Sequence, residues 1–176
     1  MNILALETST PFLVLGWTDG QEVREAIHHV ERAHAEKISH YLTEFNTPRA
    51  EMIVVGAGPG SYTGVRVAAS YALGLARAWQ AQVVRVSTLE AIAAKETGVV
   101  AVSLNALRGN VYCAIFEVGT SIKTILPIEK RSREEFMALI PANALHLEEH
   151  APSGIAMAKL AKQKLETGEN LELMYL

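Results

Sequence analysis

Cysteine is almost absent. Only Cys113 carries a thiol among 176 residues, so no internal disulfide can form, and a reducing compartment is expected. A basic excess is also missing. The net charge of −3 argues against a free-standing nucleic-acid binder, which would present a basic face. If RNA matters to this chain, a partner should supply most of the phosphate contacts. Long apolar runs are lacking too: the longest helical one, residues 67–76, lies between Arg66 and Arg77 and is too short to cross a bilayer. No basic stretch precedes Ile3-Leu4-Ala5-Leu6, and Glu7 ends that run, so no signal peptide is expected. A soluble, cytoplasmic protein without membrane association is the expectation. No lysine occurs between Lys37 and Lys95, which excludes a Walker A loop in that interval. The chain shows no internal repeat, low-complexity tract or charge run.

Present instead is a hydrophobic fraction of 49%, enough for a sizeable core or two small lobes. At the centre stands Gly56-Ala57-Gly58-Pro59-Gly60-Ser61-Tyr62-Thr63-Gly64-Val65-Arg66. It follows the β-branched run Met52-Ile53-Val54-Val55, of strand length, and precedes a helical stretch over 65–79 broken only by Gly74. Glycines at this density permit close backbone approach, and amides at the helix start suit an anion or a simple cap. Gly58, Gly60 and Gly64 come near a dinucleotide fingerprint. Pro59 removes one N–H, however, and no acidic residue ends Val83-Val84-Arg85-Val86, although Arg85 suits a 2′-phosphate.

Residues 2–7, 12–18 and 21–30 read as three consecutive antiparallel strands, the last two joined by the two-residue hairpin signal Asp19-Gly20. Three strands before any helix disfavour a plain Rossmann domain and fit an α/β, ribonuclease-H-like half, as in the sugar kinase, Hsp70 and actin group (the ASKHA fold). Glu7 ends the first strand where that group keeps an acidic residue near phosphate. The reading preferred from the residues alone is a cap for the turn through nearby N–H groups. The halves 1–97 and 98–176 each hold strands followed by helices, which suggests two related lobes.

A helix is expected over 31–45, with Ile38, Leu42 and Phe45 at helical spacing and Tyr41 beside them. His34 and His40 lie about 120° apart on it and cannot close on one ion. On the next helix Gly64, Ala68, Ala72 and Ala76 form a small-residue stripe, suited to the chain's own sheet or to a partner helix. Ser87-Thr88-Leu89-Glu90 and Ser132-Arg133-Glu134-Glu135 read as capping boxes opening helices over 89–96 and to about 140. Strands at 99–104 and 111–118 flank 105–110. His146-Leu147-Glu148-Glu149-His150 fits the inverzincin zinc pattern, but Pro141 and Pro152 leave little room for a helix, and the alternation favours a strand. A final helix over 153–167 would bury Ile155, Met157, Leu160, Ala161 and Leu165 and stop at Gly168.

The block 58–66 resembles the Gly-Pro-Gly-Ser-Phe-Thr-Gly-Leu-Arg signature of the TsaB (YeaZ) family. His34-Ala35-Glu36 resembles the family's His-Ser-Glu or His-Ala-Glu. Leu104 to Tyr112 resembles its Leu-Asp-Ala-Arg…Glu-Val-Tyr hairpin, with Asn105 and Asn110 in place of two carboxylates. Residues 171–176 look like a shortened form of its terminal Pro-x-Tyr-Leu-Arg. The resemblance implies the ASKHA fold of the threonylcarbamoyl transferase TsaD without that enzyme's active site or its His-x-x-x-His metal pair, and with an abbreviated C-terminal lobe. It implies an accessory subunit for N6-threonylcarbamoyladenosine formation beside the tRNA anticodon. TsaC makes threonylcarbamoyl-AMP from threonine, bicarbonate and ATP, TsaD transfers the group, and the ATPase TsaE docks on the TsaB–TsaD dimer. ATP and a metal then belong to partner subunits, with no cofactor on this chain alone, and tRNA is met only through the complex. A homodimer through the same surface is expected when TsaD is absent. The implied partner-binding residues are His34, Ile38, Tyr41, Leu42, Gly64, Ala68, Ala72 and Ala76. A vestigial phosphate loop would comprise Glu7, Gly58, Gly60, Ser61, Tyr62, Thr63, Gly64 and Arg66.

Overall fold

A computed structural model describes residues 1–30 and 33–166; the readings made on 31 and on 167–176 lie outside these. In chain order the elements are β1 (Ile3–Glu7), β2 (Phe12–Thr18), β3 (Val23–His29), α1 (His34–Phe45), β4 (Met52–Gly56), α2 (Tyr62–Trp79), β5 (Gln82–Val86), α3 (Thr88–Ala93), β6 (Gly98–Asn105), β7 (Asn110–Val118), β8 (Ile122–Ser132), α4 (Arg133–Leu139), β9 (Leu145–Glu148) and α5 (Gly154–Glu166). They form a five-stranded sheet in the order β3-β2-β1-β4-β5 and a four-stranded sheet in the order β8-β7-β6-β9. The first three strands pair antiparallel, and β4 and β5 add parallel to β1. This is the ribonuclease-H-like order expected from three strands preceding the first helix.

Side-chain alternation along β1 and β4 builds the layers. Leu4, Leu6, Ile53 and Val55 face α1 and α2. Ile3, Ala5, Met52 and Val54 face α5 and α3 on the opposite side. Leu89, Ile92 and Ala93 of α3 then meet Val100, Val102, Leu104 and Phe116 of the second sheet. Phe136 of α4 covers that sheet's far face over Ala101, Cys113 and Ile115. Both α1 and α2 therefore lie outermost, with one side of each open to solvent.

Several expectations need correction. The boundary near residue 97 divides the sheets, but α5, drawn from the second half, packs on the first sheet. Asp19-Gly20 does not make a two-residue hairpin. Thr18 pairs with Val23 across a four-residue loop, because the Asp19 carboxylate accepts from the Gln21 and Glu22 amides. Leu165 is 41% exposed rather than buried. The Ser87 box forms only by half: Ser87 caps the Leu89 and Glu90 amides, while Glu90 turns to Lys164 at 2.9 Å. The Ser132–Glu135 box is complete. No strand was expected over 122–132, where β8 runs at a sheet edge. Pro127 and the charges Lys123, Glu129, Lys130 and Arg131 obscure its pattern, as edge strands commonly do.

Two glycines seat α5. A Cβ on Gly154 would lie 2.6 Å from the Gly16 amide nitrogen of β2, and one on Gly16 would collide with Gly154 in return. Ser153 holds the same junction. Its hydroxyl donates to Glu25 of β3 at 2.7 Å and accepts from Ala156 N–H, and Glu25 also accepts from Ile155 N–H. Gly154→Ala is therefore expected to destabilise the fold by about 2 kcal/mol, since overpacking outweighs the gain in helix propensity. Gly74→Ala, with open space around it, should stabilise by roughly 0.5–1 kcal/mol. Chemical denaturation of the two variants checks the pair, and shifts of the same sign would contradict this account of the α5 contact.

Candidate functional site

The glycine loop between β4 and α2 closes on the chain itself. Gly60 and Gly64 lie against the turn between β1 and β2: a Cβ on Gly60 would overlap the Ser9 carbonyl, and one on Gly64 would overlap that of Thr8. The Ser61 amide donates to the Ser9 carbonyl at 2.7 Å. The Thr8 hydroxyl donates to the Gly64 carbonyl at 2.6 Å and accepts from the Ala68 amide at 3.1 Å. The Ser61 side chain caps α2 by accepting from Gly64 N–H at 3.2 Å. The Ser61 and Gly64 amides are thus spent on internal partners.

Glu7 lies behind that contact, fully buried. Its Oε2 accepts from the Thr88 hydroxyl at 2.6 Å and its Oε1 from the Ser9 amide. A Cβ on Gly56 would fall on the same carboxylate. Thr88 is saturated: it donates to Glu7, its oxygen receives Gly58 N–H at 3.1 Å, and the Ser9 hydroxyl lies 3.0 Å away. The Thr88 amide in turn donates to the Gly58 carbonyl at 2.8 Å. Burial pushes the Glu7 carboxyl above the usual carboxylate range, and the Thr88 and Ser9 bonds pull it back only in part. Bonds to a charged acceptor contribute about 1.5–3 kcal/mol each. Desolvating the ion costs several kcal/mol. Burial thus opposes the charge that these bonds support. Glu7 caps its turn by accepting from the Ser9 amide.

Of the implied partner-binding residues, His34, Ile38, Gly64, Ala68, Ala72 and Ala76 are buried. The small-residue stripe packs on Leu4, Leu6, Leu13, Leu15, Ile53 and Val55 of the chain's own sheet. His34 contacts the Phe12 carbonyl through Nε2 at 3.3 Å, and burial holds its pKa below the ordinary histidine value. Tyr41 and Leu42 are half-buried, and the Tyr41 ring stacks on His28 at 3.8 Å. A molecule seated on these helices meets their other sides, across a shallow groove of about 310 Å³ lined by Ala35, Thr63, Arg66, Val67, Ser70 and Tyr71. Tyr62 is 76% exposed at the start of α2, with the Arg66 guanidinium 5.5 Å from its ring centre.

His146 stands on β9, a strand, not a helix. Its Nε2 meets the buried Ser103 hydroxyl at 2.8 Å, its ring abuts Phe136 edge-on, and burial lowers its pKa. His150 lies beyond the end of that strand. Among the described residues no three His, Cys, Asp or Glu side chains group as a metal site, and no helix is long and apolar enough to cross a membrane.

The two asparagines of the β6–β7 hairpin hold its tip. Asn105 Oδ1 accepts from Leu107 N–H at 2.7 Å, and Asn110 Nδ2 reaches the Leu107 and Arg108 carbonyls at 3.4 Å, a donation no carboxylate makes. Leu107, Arg108 and Gly109 all have positive φ (64°, 55° and 76°). That conformation costs an L-residue about 1–2 kcal/mol. The tip overhangs a cleft of about 500 Å³ between the lobes, walled by Ser9, Thr10, Pro11, Gly60 and Ser61 on one side and by Leu104, Asn105, Ala106, Leu107, Tyr112 and Glu149 on the other. Sequence reasoning missed Thr88, Leu107 and Glu149. Thr88 sits 81 residues from the carboxylate it bonds, and no local pattern marks that pairing.

The family described as TsaD, tRNA N6-adenosine threonylcarbamoyltransferase, matches residues 25–174. The Bacillus subtilis (strain 168) protein named tRNA threonylcarbamoyladenosine biosynthesis protein TsaB is 30% identical over 127 residues, covering 66% of this chain and 56% of that protein. An uncharacterised protein of Mycobacterium leprae (strain TN) is 30% identical over 131 residues, 68% of this chain and 36% of its own length. The match thus spans about half or less of these curated relatives. Two solved structures share the fold over 99% of both chains. One, from Pseudomonas aeruginosa and described as similar to peptidase YEAZ, has a TM-score of 0.81 at 21% identity. The other, YeaZ from Pseudomonas aeruginosa, has 0.78 at 22%.

Two outcomes test the closed loop. Gly64→Ala should cost about 3 kcal/mol or more, because its Cβ meets backbone that cannot yield. For Glu7, a folded-state pKa above the unfolded one means that its stabilising contribution is present in acid and lost as the pH rises through the folded-state value. Glu7→Gln should therefore gain stability relative to wild type as the pH rises above the ordinary glutamate value of 4.5, read as the difference in Tm. Parallel Tm curves would contradict a buried, disfavoured carboxylate.

Proposed function

The chain belongs to the TsaD family, as a member of its TsaB/YeaZ group, and from that premise we propose that it is a catalytically silent scaffold for N6-threonylcarbamoyladenosine formation on tRNA. Its role is to hold TsaD through the open sides of α1 and α2. TsaC supplies threonylcarbamoyl-AMP, TsaD transfers the group, and TsaE docks on the TsaB–TsaD dimer. ATP, the metal and tRNA engage the partner subunits, in the cytoplasm, and the same helical face makes a homodimer when TsaD is absent.

One observation carries this reading: the glycine loop is packed shut by the chain's own Thr8-Ser9 turn. A nucleotide enzyme built on that loop would need its amides for phosphate, and those of Gly58, Ser61 and Gly64 already bond within the chain. Meanwhile α1 and α2 lie in the outermost layer, and Ala35, Ser70 and Tyr71 line a groove between them without closing it.

The test uses Ser70→Arg, on the exposed side of α2, rather than a change in the buried alanines that would disturb the core. Co-purification with the TsaD of the same organism should be lost in this variant. It should survive in Lys162→Glu, which alters an exposed position of α5 beyond the first sheet. Equal recovery of TsaD with both variants would remove this surface from the account. Saturable binding of ATP or NADP to the isolated chain would favour a nucleotide enzyme instead.

A further inference from the structure

We propose that His146 is a proton-operated latch on the tip of the β6–β7 hairpin: the neutral ring holds β9, α4 and the tip together, and a proton on the ring releases them. Three elements meet at this side chain. Its Nε2 lies 2.8 Å from the hydroxyl of Ser103 on β6, its partner across the parallel pairing is Ala101, and its ring abuts Phe136 of α4 edge-on. Ser103 is 2% exposed and Phe136 fully buried, so both contacts reach into the core. In the latched state Nε2 accepts the Ser103 proton. A proton on Nε2 makes it a donor, and the hydroxyl must turn round to accept. The hydrogen of that hydroxyl then has no other partner among the described residues, and a buried donor left unpaired is costly.

The surroundings give the proton little help. Burial comes first, and it holds the ring below the ordinary histidine value of 6.5. Glu148, on the same strand, favours the charged ring, but both terminal guanidinium nitrogens of Arg133 on α4 already hold that carboxylate, one of them at 2.8 Å. Arg133 itself and His150 oppose the charge. On α4, Glu135 is engaged by the Ser132 cap. From β6 come Ala101 and Ser103, both uncharged, and beyond Ser103 the Cys113 thiol of β7, pushed up to about 11 by burial, stays neutral.

The same corner braces the hairpin tip. The Arg133 amide donates to the Gly109 carbonyl at 2.9 Å, the Glu149 amide donates to the Ser103 carbonyl at 3.0 Å, and the Glu149 carboxylate accepts from the Asn105 amide. β9 is a four-residue strand at the edge of its sheet and α4 has seven residues, so both are segments that open at low cost. A charged ring reaches water most easily by lifting them, and the braces of the tip go with them.

NMR titration of the full chain from about pH 8 to about pH 5 tests the latch. The His146 ring should take its proton below 6.5. The Asn105, Arg133 and Glu149 amides should shift with the same midpoint and lose protection from exchange over that range. Because the unfolded chain takes the proton first, stability rises with pH through this window. Wild-type Tm should therefore fall on acidification relative to His146→Gln, whose tip amides should not follow that midpoint. Arg133→Gln should move the midpoint upward, since it removes an opposing cation and frees Glu148. A His146 midpoint at or above 6.5 would overturn the latch, as would tip amides that stay unmoved and protected while the ring takes its proton. A midpoint that stays or falls in Arg133→Gln would do the same. The wild-type titration decides the matter if His146→Gln fails to fold.

Discussion

The close approach of the β1–β2 turn to the glycine loop is the contact on which the rest of this molecule depends. It requires three positions without side chains, Gly56, Gly60 and Gly64, and it draws Thr8, Ser9 and Glu7 into one buried hydrogen-bonded cluster with Thr88. The cluster ties β1, β4, the first turn of α2 and the start of α3 together. Those elements belong to both faces of the first sheet, so one polar knot sets the position of helices on either side. A network of this kind specifies one arrangement only when each of its groups is satisfied. Each oxygen described here has its donor, and Thr88 uses its full capacity.

Closing the loop in this way decides where function can lie. A strand, glycine loop and helix start form a ready anion site when the amides are free. Here the Gly58, Ser61 and Gly64 amides serve the fold, and the buried carboxylate beside them disfavours its own charge. What remains open is surface: the outer sides of α1 and α2, and the cleft mouth beneath the β6–β7 hairpin. The second lobe contributes a small sheet covered on its far face by one short helix, and α5 crosses back to brace the first sheet through the Gly16–Gly154 approach. That return couples the lobes, so the cleft is framed by elements that share a core.

Much of this was legible from the residues, and the limits have physical causes. The three opening strands followed from short apolar segments separated by turns, and their number before the first helix identified the fold class. β9 followed from alternation between two prolines. The small-residue stripe of α2 was correctly seen as a packing surface, but periodicity cannot say which neighbour it meets, and the chain's own sheet occupies it. His34 and Ile38 went the same way into the core. β8 escaped notice because an edge strand carries charge and proline where a central strand carries valine. The hydroxyl of Thr88 escaped because its partner Glu7 lies a whole lobe away in sequence. The glycines were read as a loop for close approach, and so they are, but what approaches is the protein's own backbone.

Hydrogen exchange at the loop amides tests the central claim most directly. The Ser9 and Ser61 amides, followed by NMR with and without Mg·ATP, should exchange only through global unfolding and show no change in rate or chemical shift on adding the nucleotide. Fast exchange at these amides in the free protein, slowed by saturable nucleotide binding, would contradict it, for the loop would then be an open cradle and not a closed one.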